Sequence, residues 1–233
     1  MTILVDIWRA TLGQLAPQHC RFCTAPCDGG LPLCAACRAQ LPWNEPACPR
    51  CAQPQTHGET CAKCLAHPPP FAAAWAPLRL AVPVQQQIHA LKYDAAFVHA
   101  HVFGELFADA LQARGRPLPD VIIPVPLHPL RLWRRGYNQS VELARALARR
   151  DGLRVEPRWA KRQRRTADQI GMSAIARRRN VKKAFSVDAR VHGLRVALLD
   201  DVMTTGATLA ELARACLRAG AIEVEAWAIA RVA

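Results

Sequence analysis

Residues 195–209 read RVALLDDVMTTGATL, and this stretch decides the fold class. The apolar run over residues 194–199 is typical of a strand that is buried on both faces of a parallel sheet. The run ends in two adjacent carboxylates, Asp200 and Asp201, and a short Thr/Gly segment then leads into a helix predicted over residues 208–219. Because ligands of open parallel sheets bind at the carboxyl ends of the strands, this segment predicts a binding site.

The composition of the segment indicates a sugar phosphate as the ligand. The start of a helix offers unpaired N–H groups and the positive end of a dipole, and Gly206 lets the backbone approach a phosphate closely. Two carboxylates beside a phosphate would repel it unless sugar hydroxyls or a bound Mg²⁺ lay between them. An ordinary helix-capping loop would not explain why two adjacent carboxylates, Asp200 and Asp201, stand at the end of an apolar strand.

Outward from this segment, predicted strands and helices alternate along the chain. Alternation of this kind predicts an α/β fold with a mostly parallel sheet covered on both faces. The strands are expected at residues 75–80, 120–125, 194–199 and 222–229. The helices are expected at residues 84–93, 97–113, 138–150 and 208–219, with a further helix that Ser173 would cap and that ends before Phe185.

Nine of the ten cysteines lie between Cys20 and Cys64, in four C-x-x-C units and one single residue, Cys27. Two such units complete a tetrahedral zinc site, whereas a disulfide framework suits a secreted protein. The spacing therefore predicts two structural zinc ions held by sequential pairs of units, with a crossed arrangement as the alternative. The ligands would be Cys20, Cys23, Cys34 and Cys37 for one ion and Cys48, Cys51, Cys61 and Cys64 for the other. Cys27 could replace a neighbouring ligand, and Cys216 is expected in the apolar core.

The cysteine-rich region forms an N-terminal head. Pro68, Pro69 and Pro70 stiffen the chain behind it, so we expect domains at residues 1–70 and 71–233. Apolar residues at helical spacing predict a short helix within residues 3–15. This first segment lacks the basic start and cleavage site of a secretion signal, and no apolar run reaches the roughly 20 residues that span a bilayer. A cytoplasmic protein without a membrane span is expected.

Positive charge is concentrated in one stretch of a chain whose formal net charge is +13. Residues 158–183 hold ten Lys/Arg and one Asp, which gives a local net charge of +9. A solvated basic face is one interpretation, and a site for ligand phosphates or a nucleic-acid backbone is the other. The candidates for DNA contact are Arg158, Lys161, Arg162, Arg165, Arg177 and Arg178.

The stretch VALLDDVMTTGAT at residues 196–208 resembles the phosphoribosyl-pyrophosphate (PRPP) signature of type I phosphoribosyltransferases. From Cys20 to its end the chain resembles the ComF family of competence-type, GntX-like proteins, in which a double zinc ribbon precedes such a domain. The motifs that carry the resemblance are the C-x-x-C units, LKY at 91–93, PVPL at 124–127, WRRGYNQ at 133–139, RRT at 164–166 with Gln169, and RN at 179–180 with AF at 184–185.

The resemblance implies specific roles for the site residues. Asp200 and Asp201 would hold the ribose 2- and 3-hydroxyls, and Arg164 would act on a flap over the site together with Arg165 and Thr166. Mg²⁺ would accompany the pyrophosphate. The loop after Val125, running to Arg135, would lie near the pyrophosphate. The remaining PRPP-binding residues would be Val202, Met203, Thr204, Thr205, Gly206, Ala207 and Thr208 around the 5-phosphate, and Pro126, Leu127 and Arg135 in that loop.

Two functions are compatible with these patterns. One is an enzyme or sensor that uses PRPP or a related sugar phosphate in DNA uptake and competence, with an acceptor that the sequence does not specify. The other is a non-catalytic accessory protein that binds single-stranded DNA and whose sugar-phosphate site is regulatory. A competence helicase or channel would be the partner in either role. The aspartate pair favours the first function, and the basic stretch favours the second.

Overall fold

The computed structural model describes residues 18–27, 30–164 and 181–233. The chain divides between Leu41 and Pro42 into two compact units. The helix expected within residues 3–15, the helix capped by Ser173, and Arg165, Arg177 and Arg178 lie outside the described residues.

The smaller unit holds the first two C-x-x-C units. A β-bridge joins His19 to Pro26 around the first C-x-x-C turn. The short helix α1 (Ala35–Ala39) follows the second turn, with Cys34 at its N-cap position. Within this unit, the backbone N–H of Arg21 donates to the carbonyl of Pro32 at 3.0 Å, so the two turns face one another.

The larger unit is built on a five-stranded sheet. Four strands follow the order β1 (Ala73–Trp75), β7 (Glu223–Arg231), β6 (Arg195–Met203), β3 (Val121–Pro124), and β2 (Leu78–Arg79) also pairs with β7. Every pairing in this sheet is parallel, with Val121 opposite Val196 and Arg195 opposite Glu223. A separate antiparallel pair joins β4 (Ala160–Arg162) to β5 (Phe185–Val187). The parallel α/β fold class is confirmed.

Helices cover both faces of the sheet. The helices are α2 (Ala62–Ala66), α3 (Val84–Tyr93), α4 (Phe97–Ala113), α5 (Pro129–Arg135), α6 (Gln139–Asp151) and α7 (Ala207–Arg218). On one face of β7, Ala226 and Ala228 share a core with Leu209 and Leu212 of α7. Because side chains alternate along a strand, Trp227 points to the other face, where its ring packs against Phe107 of α4 at 5.6 Å between centroids.

The packing of α4 on α6 depends on one glycine. A Cβ atom at Gly104 would lie 2.5 Å from the Cβ of Ala146, which is closer than real side chains approach. Gly104 therefore sets the separation of the two helices, and any larger residue would force them apart.

The structure differs from the sequence-based expectations in three places. The strand expected at residues 75–80 is two strands, because Pro77 has no N–H with which to continue the ladder. The strand expected to end at Leu199 continues to Met203, since Val202 and Met203 still pair with β7. Residues 129–135, 160–162 and 185–187, where no helix or strand was expected, form α5, β4 and β5.

The third and fourth C-x-x-C units belong to the larger unit, and their segment covers the outer edge of the sheet. The backbone N–H of Ala74 in β1 donates to the carbonyl of Pro49 at 3.0 Å, and Trp43 forms a β-bridge with Leu78. The buried side chain of Asn44 donates to the carbonyls of Ala52 and Ala76.

The domain boundary at residue 70 stays a prediction. Across the part of the chain that the structure describes, no helix combines the length and hydropathy that a bilayer crossing requires.

Candidate functional site

The cysteines form two clusters with the geometry of tetrahedral metal sites. Cluster I consists of Cys20, Cys23, Cys34 and Cys37, and cluster II of Cys48, Cys51, Cys61 and Cys64; within each, all four sulfur atoms lie within 4.8 Å of one another. The Sγ atoms of Cys51 and Cys61 are 3.8 Å apart, and those of Cys23 and Cys34 are 3.7 Å apart. Four sulfurs at about 2.3 Å from a zinc ion are separated by about 3.8 Å, so both clusters fit Zn²⁺. The sequential pairing agrees with this geometry, and the crossed pairing does not.

Backbone N–H groups point at the sulfurs, as expected for thiolates. The N–H of Cys61 lies 3.3 Å from the Sγ of Cys48. Although burial opposes it, these N–H groups lower the pKa of Cys48 to about 7. Cys27 lies outside both clusters, and Cys216 is buried in α7, where burial raises its pKa to about 12.

The second site is a cavity of about 760 Å³ at the carboxyl end of β6. Asp200 and Asp201 line it together with residues of α3, α5 and the β6–α7 loop, which is residues 204–206. Gly206 has φ of +74°, the left-handed region that glycine adopts without strain, and it directs the chain into α7. The hydroxyl of Thr205 lies 3.4 Å from the N–H of Ala207 in the first turn of α7.

The two aspartates have different surroundings. Asp201 is buried, and its Oδ2 lies 2.9 Å from the Nζ of Lys92 on α3. Asp200 accepts hydrogen bonds at Oδ1 from the Ser140 hydroxyl at 3.2 Å and from the Asp201 N–H at 2.9 Å. Burial, followed by the charge of Asp201, raises the pKa of Asp200 to about 7 despite these donors and Lys92. Asp200 is therefore poised to bind a hydroxyl donor or a cation that would stabilise its charge.

Arginines supply the opposite charge in the same cavity. Arg131, Arg134 and Arg135 of α5 and Arg162 of β4 all line it. Burial and then the charge of Arg135 lower the pKa of Arg131. Burial and then the charge of Arg131 lower the pKa of Arg162, whereas Asp200 raises it. Guanidinium groups brought close enough to repel one another favour an anion between them.

Most of the residues predicted for PRPP line this cavity. Residues in it are Leu127, Arg135, Asp200, Asp201, Val202, Met203, Thr204, Gly206, Ala207 and Thr208. Pro126 and Thr205 lie beside lining residues but not among them. The exposed Arg164 directs its guanidinium to the carbonyl of Lys182 at 2.9 Å rather than into the cavity.

Of the residues predicted to contact DNA, the three that the structure describes differ in exposure. Arg158 and Lys161 are exposed, while Arg162 is buried with its guanidinium 5.5 Å from the Phe185 ring centroid. Arg162 therefore belongs to the cavity, together with the α5 arginines.

Sequence reasoning missed two contributors to the site. Lys92 and Ser140 were assigned no role, although Lys92 lies within the quoted LKY motif. The signal for α5 was present: His128 accepts from the Leu130 N–H as an N-cap, Pro129 occupies the first turn, and Gly136 ends the helix at φ +80°. The contact between Lys92 and Asp201 joins residues far apart in sequence, and no local pattern encodes it.

Two four-cysteine clusters, a parallel α/β sheet and a cavity that holds both carboxylates and arginines define the class as a zinc-ribbon protein with an α/β ligand-binding domain. Residues 11–65 match the model of the double zinc ribbon domain. The chain is 38% identical over 221 residues to DNA utilization protein YhgH of Escherichia coli O6:H1, covering 92% of this chain and 97% of that protein. It is 34% identical over 221 residues to competence protein F of Haemophilus influenzae, covering 91% and 95%. The chain belongs to the family of these proteins, the ComF family.

The solved structures that match this chain are more distant. The allosteric regulatory enzyme of purine biosynthesis matches with 23% identity and a TM-score of 0.37, over 54% of this chain and 25% of that one. Glutamine PRPP amidotransferase from B. subtilis matches with the same identity and TM-score, over 54% and 26%.

Proposed function

We propose that this protein binds PRPP together with Mg²⁺ and acts in the cytoplasm in the utilisation of DNA taken up by the cell. The observation that carries the proposal is the presence of Asp200, Asp201 and the β6–α7 loop in one cavity with the arginines of α5. A ligand with vicinal hydroxyls and several phosphates matches this combination of charges. The names of the relatives, DNA utilization protein and competence protein F, support the cellular role.

Each group in the cavity has a role in this proposal. Asp200 and Asp201 accept hydrogen bonds from the ribose hydroxyls, and the N–H groups at the start of α7 bind the 5-phosphate. Arg131, Arg135 and Arg162 bind the pyrophosphate. Carboxylate and phosphate oxygens are ligands that Mg²⁺ prefers, so the aspartates also fit this ion.

The same groups would assist a transfer reaction. When pyrophosphate leaves, negative charge develops on its oxygens, and preorganised guanidinium groups stabilise that charge. The acceptor would enter along α3, where Gln85, Ile88 and His89 line the remainder of the cavity.

A second candidate function is the binding of single-stranded DNA, and one exposed side chain favours it. Trp133 on α5 is 82% exposed, and the flanking Arg134 is also exposed. Residues 126–139 contain three arginines and no acidic residue. A tryptophan among arginines is the combination on which unpaired bases stack while phosphates bind the charges. A helicase or channel of the uptake machinery would be the partner in this role.

Calorimetric titration with PRPP, with and without Mg²⁺, tests the proposed function. Asp200→Asn should weaken PRPP binding by about 10- to 100-fold, because hydrogen bonds to an ionised acceptor are worth about 1.5–3 kcal/mol. Single-stranded DNA binding should hold or increase, since the change removes a negative charge. The matched control is Asp188→Asn, which makes the same change at an aspartate paired with Arg190 outside the cavity.

A parent protein that binds no PRPP at millimolar concentration, or an Asp200→Asn variant that binds it as well as the parent, would refute the proposal. Equal loss of PRPP and DNA binding in Asp200→Asn, with the fold preserved, would instead indicate one shared site for both ligands.

A further inference from the structure

Arg231, the last residue of β7, lies between cluster II and the β6–α7 loop. Its side chain is only 6% exposed although it carries a full charge. A buried guanidinium requires acceptors for its five N–H donors, and their identity shows what it holds together.

On one side, Arg231 contacts the segment that forms cluster II. Its Nε donates to the carbonyl of Cys51 at 3.0 Å, and its Nη2 donates to Oε1 of Gln53 at 2.7 Å. The backbone of this turn is itself fixed to the cluster, because the N–H of Cys48 donates to the carbonyl of Gln53 at 2.9 Å. The position of the Arg231 acceptors therefore depends on the conformation that Cys48 and Cys51 adopt as metal ligands.

On the other side, the same side chain holds the start of the candidate phosphate site. Nη1 donates to the carbonyls of Met203, at 3.1 Å, and of Thr204, the first residue of the β6–α7 loop. It also donates to the carbonyl of Val232 at 2.6 Å. One guanidinium thus joins a zinc-ligand turn to the loop through hydrogen bonds alone.

Charge strengthens the connection. Four thiolates around one Zn²⁺ carry a net charge of about −2, which favours a buried guanidinium nearby. Loss of the metal changes this charge and removes the constraint on the Cys51 carbonyl. Arg231 would then lose the partners that keep it against the carbonyls of Met203 and Thr204.

We propose that Arg231 is a positioning residue that couples cluster II to the β6–α7 loop, so that metal in cluster II sets the affinity of the loop for a sugar phosphate. The proposal rests on the proposed function for its ligand, but the coupling itself is a property of the protein without ligand. The described hydrogen bonds of Arg231 all reach residues of the unit that holds cluster II, so the metal of cluster I is expected to have no effect on the loop.

A double-mutant cycle tests this coupling in the full chain. Cys64→Ser disables cluster II, and Cys37→Ser makes the same change in cluster I as the matched control. Arg231→Met removes the guanidinium, and Arg231→Lys keeps the charge but fewer donors. Arg50→Met is a second control, because Arg50 ties the cluster II segment to the carbonyls of Ala72 and Pro69 without contacting the loop.

Two readouts separate this proposal from the proposed function. The first is PRPP affinity, which should fall about tenfold in Cys64→Ser and in Arg231→Met, within the range usual for coupled sites. The effects should not add in the double variant, because both changes break one connection. Arg231→Lys should be intermediate, and Cys37→Ser and Arg50→Met should match the parent. The second readout is hydrogen exchange of the amides of residues 203–208 without ligand, which should accelerate in the same variants.

The outcomes are distinguishable. If the parent binds no PRPP, the proposed function fails and hydrogen exchange still decides the coupling. The coupling would be overturned if the effects of Cys64→Ser and Arg231→Met were strictly additive. It would also be overturned if the loop amides exchanged at the parent's rate in Cys64→Ser. If Cys64→Ser fails to fold, Arg231→Met with both zinc ions retained and unchanged loop exchange would overturn it as well.

Discussion

Replacing Asp200 by Asn tests whether the Asp200 carboxylate of the candidate site lowers the free energy of unfolding. The substitution preserves shape, and the amide oxygen can still accept from Ser140 and from the Asp201 N–H. What it removes is a carboxyl group whose pKa is raised to about 7 by burial and by the charge of Asp201. The folded parent therefore binds a proton here that the unfolded chain releases near pH 4.

The magnitude follows from the two pKa values. A rise from 3.8 to about 7 is about three units, and at 1.36 kcal/mol per unit the parent loses about 4 kcal/mol of stability as pH rises through this window. The loss occurs between about pH 4 and pH 7, and stability is then independent of this group above that range. Asn has no such dependence. The stability of Asp200→Asn relative to the parent should therefore increase by about 3 kcal/mol between pH 5 and pH 8.

Thermal unfolding followed by circular dichroism measures this difference, with zinc and salt held constant. For a chain of this size, about 3 kcal/mol corresponds to roughly 6–12 °C in Tm. Asp188→Asn is the control: a hydrogen bond from Arg190 lowers the pKa of Asp188 to about 2, so its titration is complete below pH 5 in both states. A Tm difference between Asp200→Asn and the parent that stays flat from pH 5 to pH 8 would refute the reasoning. It would mean that Lys92 and the hydrogen-bond donors fully stabilise the Asp200 carboxylate.

The remaining predictions concern DNA and metal. Trp133→Ala should weaken binding of single-stranded DNA by about 5- to 150-fold without changing its salt dependence, because stacking releases no counterions. Arg134→Gln should instead reduce the slope of log affinity against log salt by about 0.7. Arg158→Gln should do the same if the basic stretch also contacts the DNA backbone. Fluorescence anisotropy at several salt concentrations distinguishes these results. Native mass spectrometry should find about two zinc ions per chain, falling to one in Cys37→Ser, and intact disulfides without metal would contradict this.

The parts of the fold that the sequence predicts well are those with strong local signals. The helices α3 and α4 begin and end at the expected residues, since an apolar period of 3.6 and a flanking proline or polar turn mark both. The spacing of the C-x-x-C units predicts two four-cysteine sites but leaves the crossed pairing open, and the sulfur positions show the sequential pairing.

The candidate site is predictable only in part, because its chemistry is assembled from distant segments. Asp200, Asp201 and Gly206 are visible in one stretch of sequence. The Lys92 that neutralises Asp201 lies on α3, more than a hundred residues earlier. Arg231 is equally hidden, since an arginine at the end of an apolar strand has no local signature of its contacts with Cys51 and Thr204. Such contacts depend on which strands become neighbours in the sheet.

The charges in the cavity separate two kinds of ligand. The carboxylates at the end of β6 accept hydrogen bonds from hydroxyl groups or bind a dication, and they repel a phosphodiester chain that brings neither. The arginines of α5 bind phosphate whatever molecule carries it. A ligand with vicinal hydroxyls and a pyrophosphate satisfies both sets of charges. A single DNA strand would bind only the arginines and Trp133 of α5. The two proposed functions therefore overlap at the arginines and differ at Asp200 and Asp201, so PRPP and DNA should compete without sharing every contact.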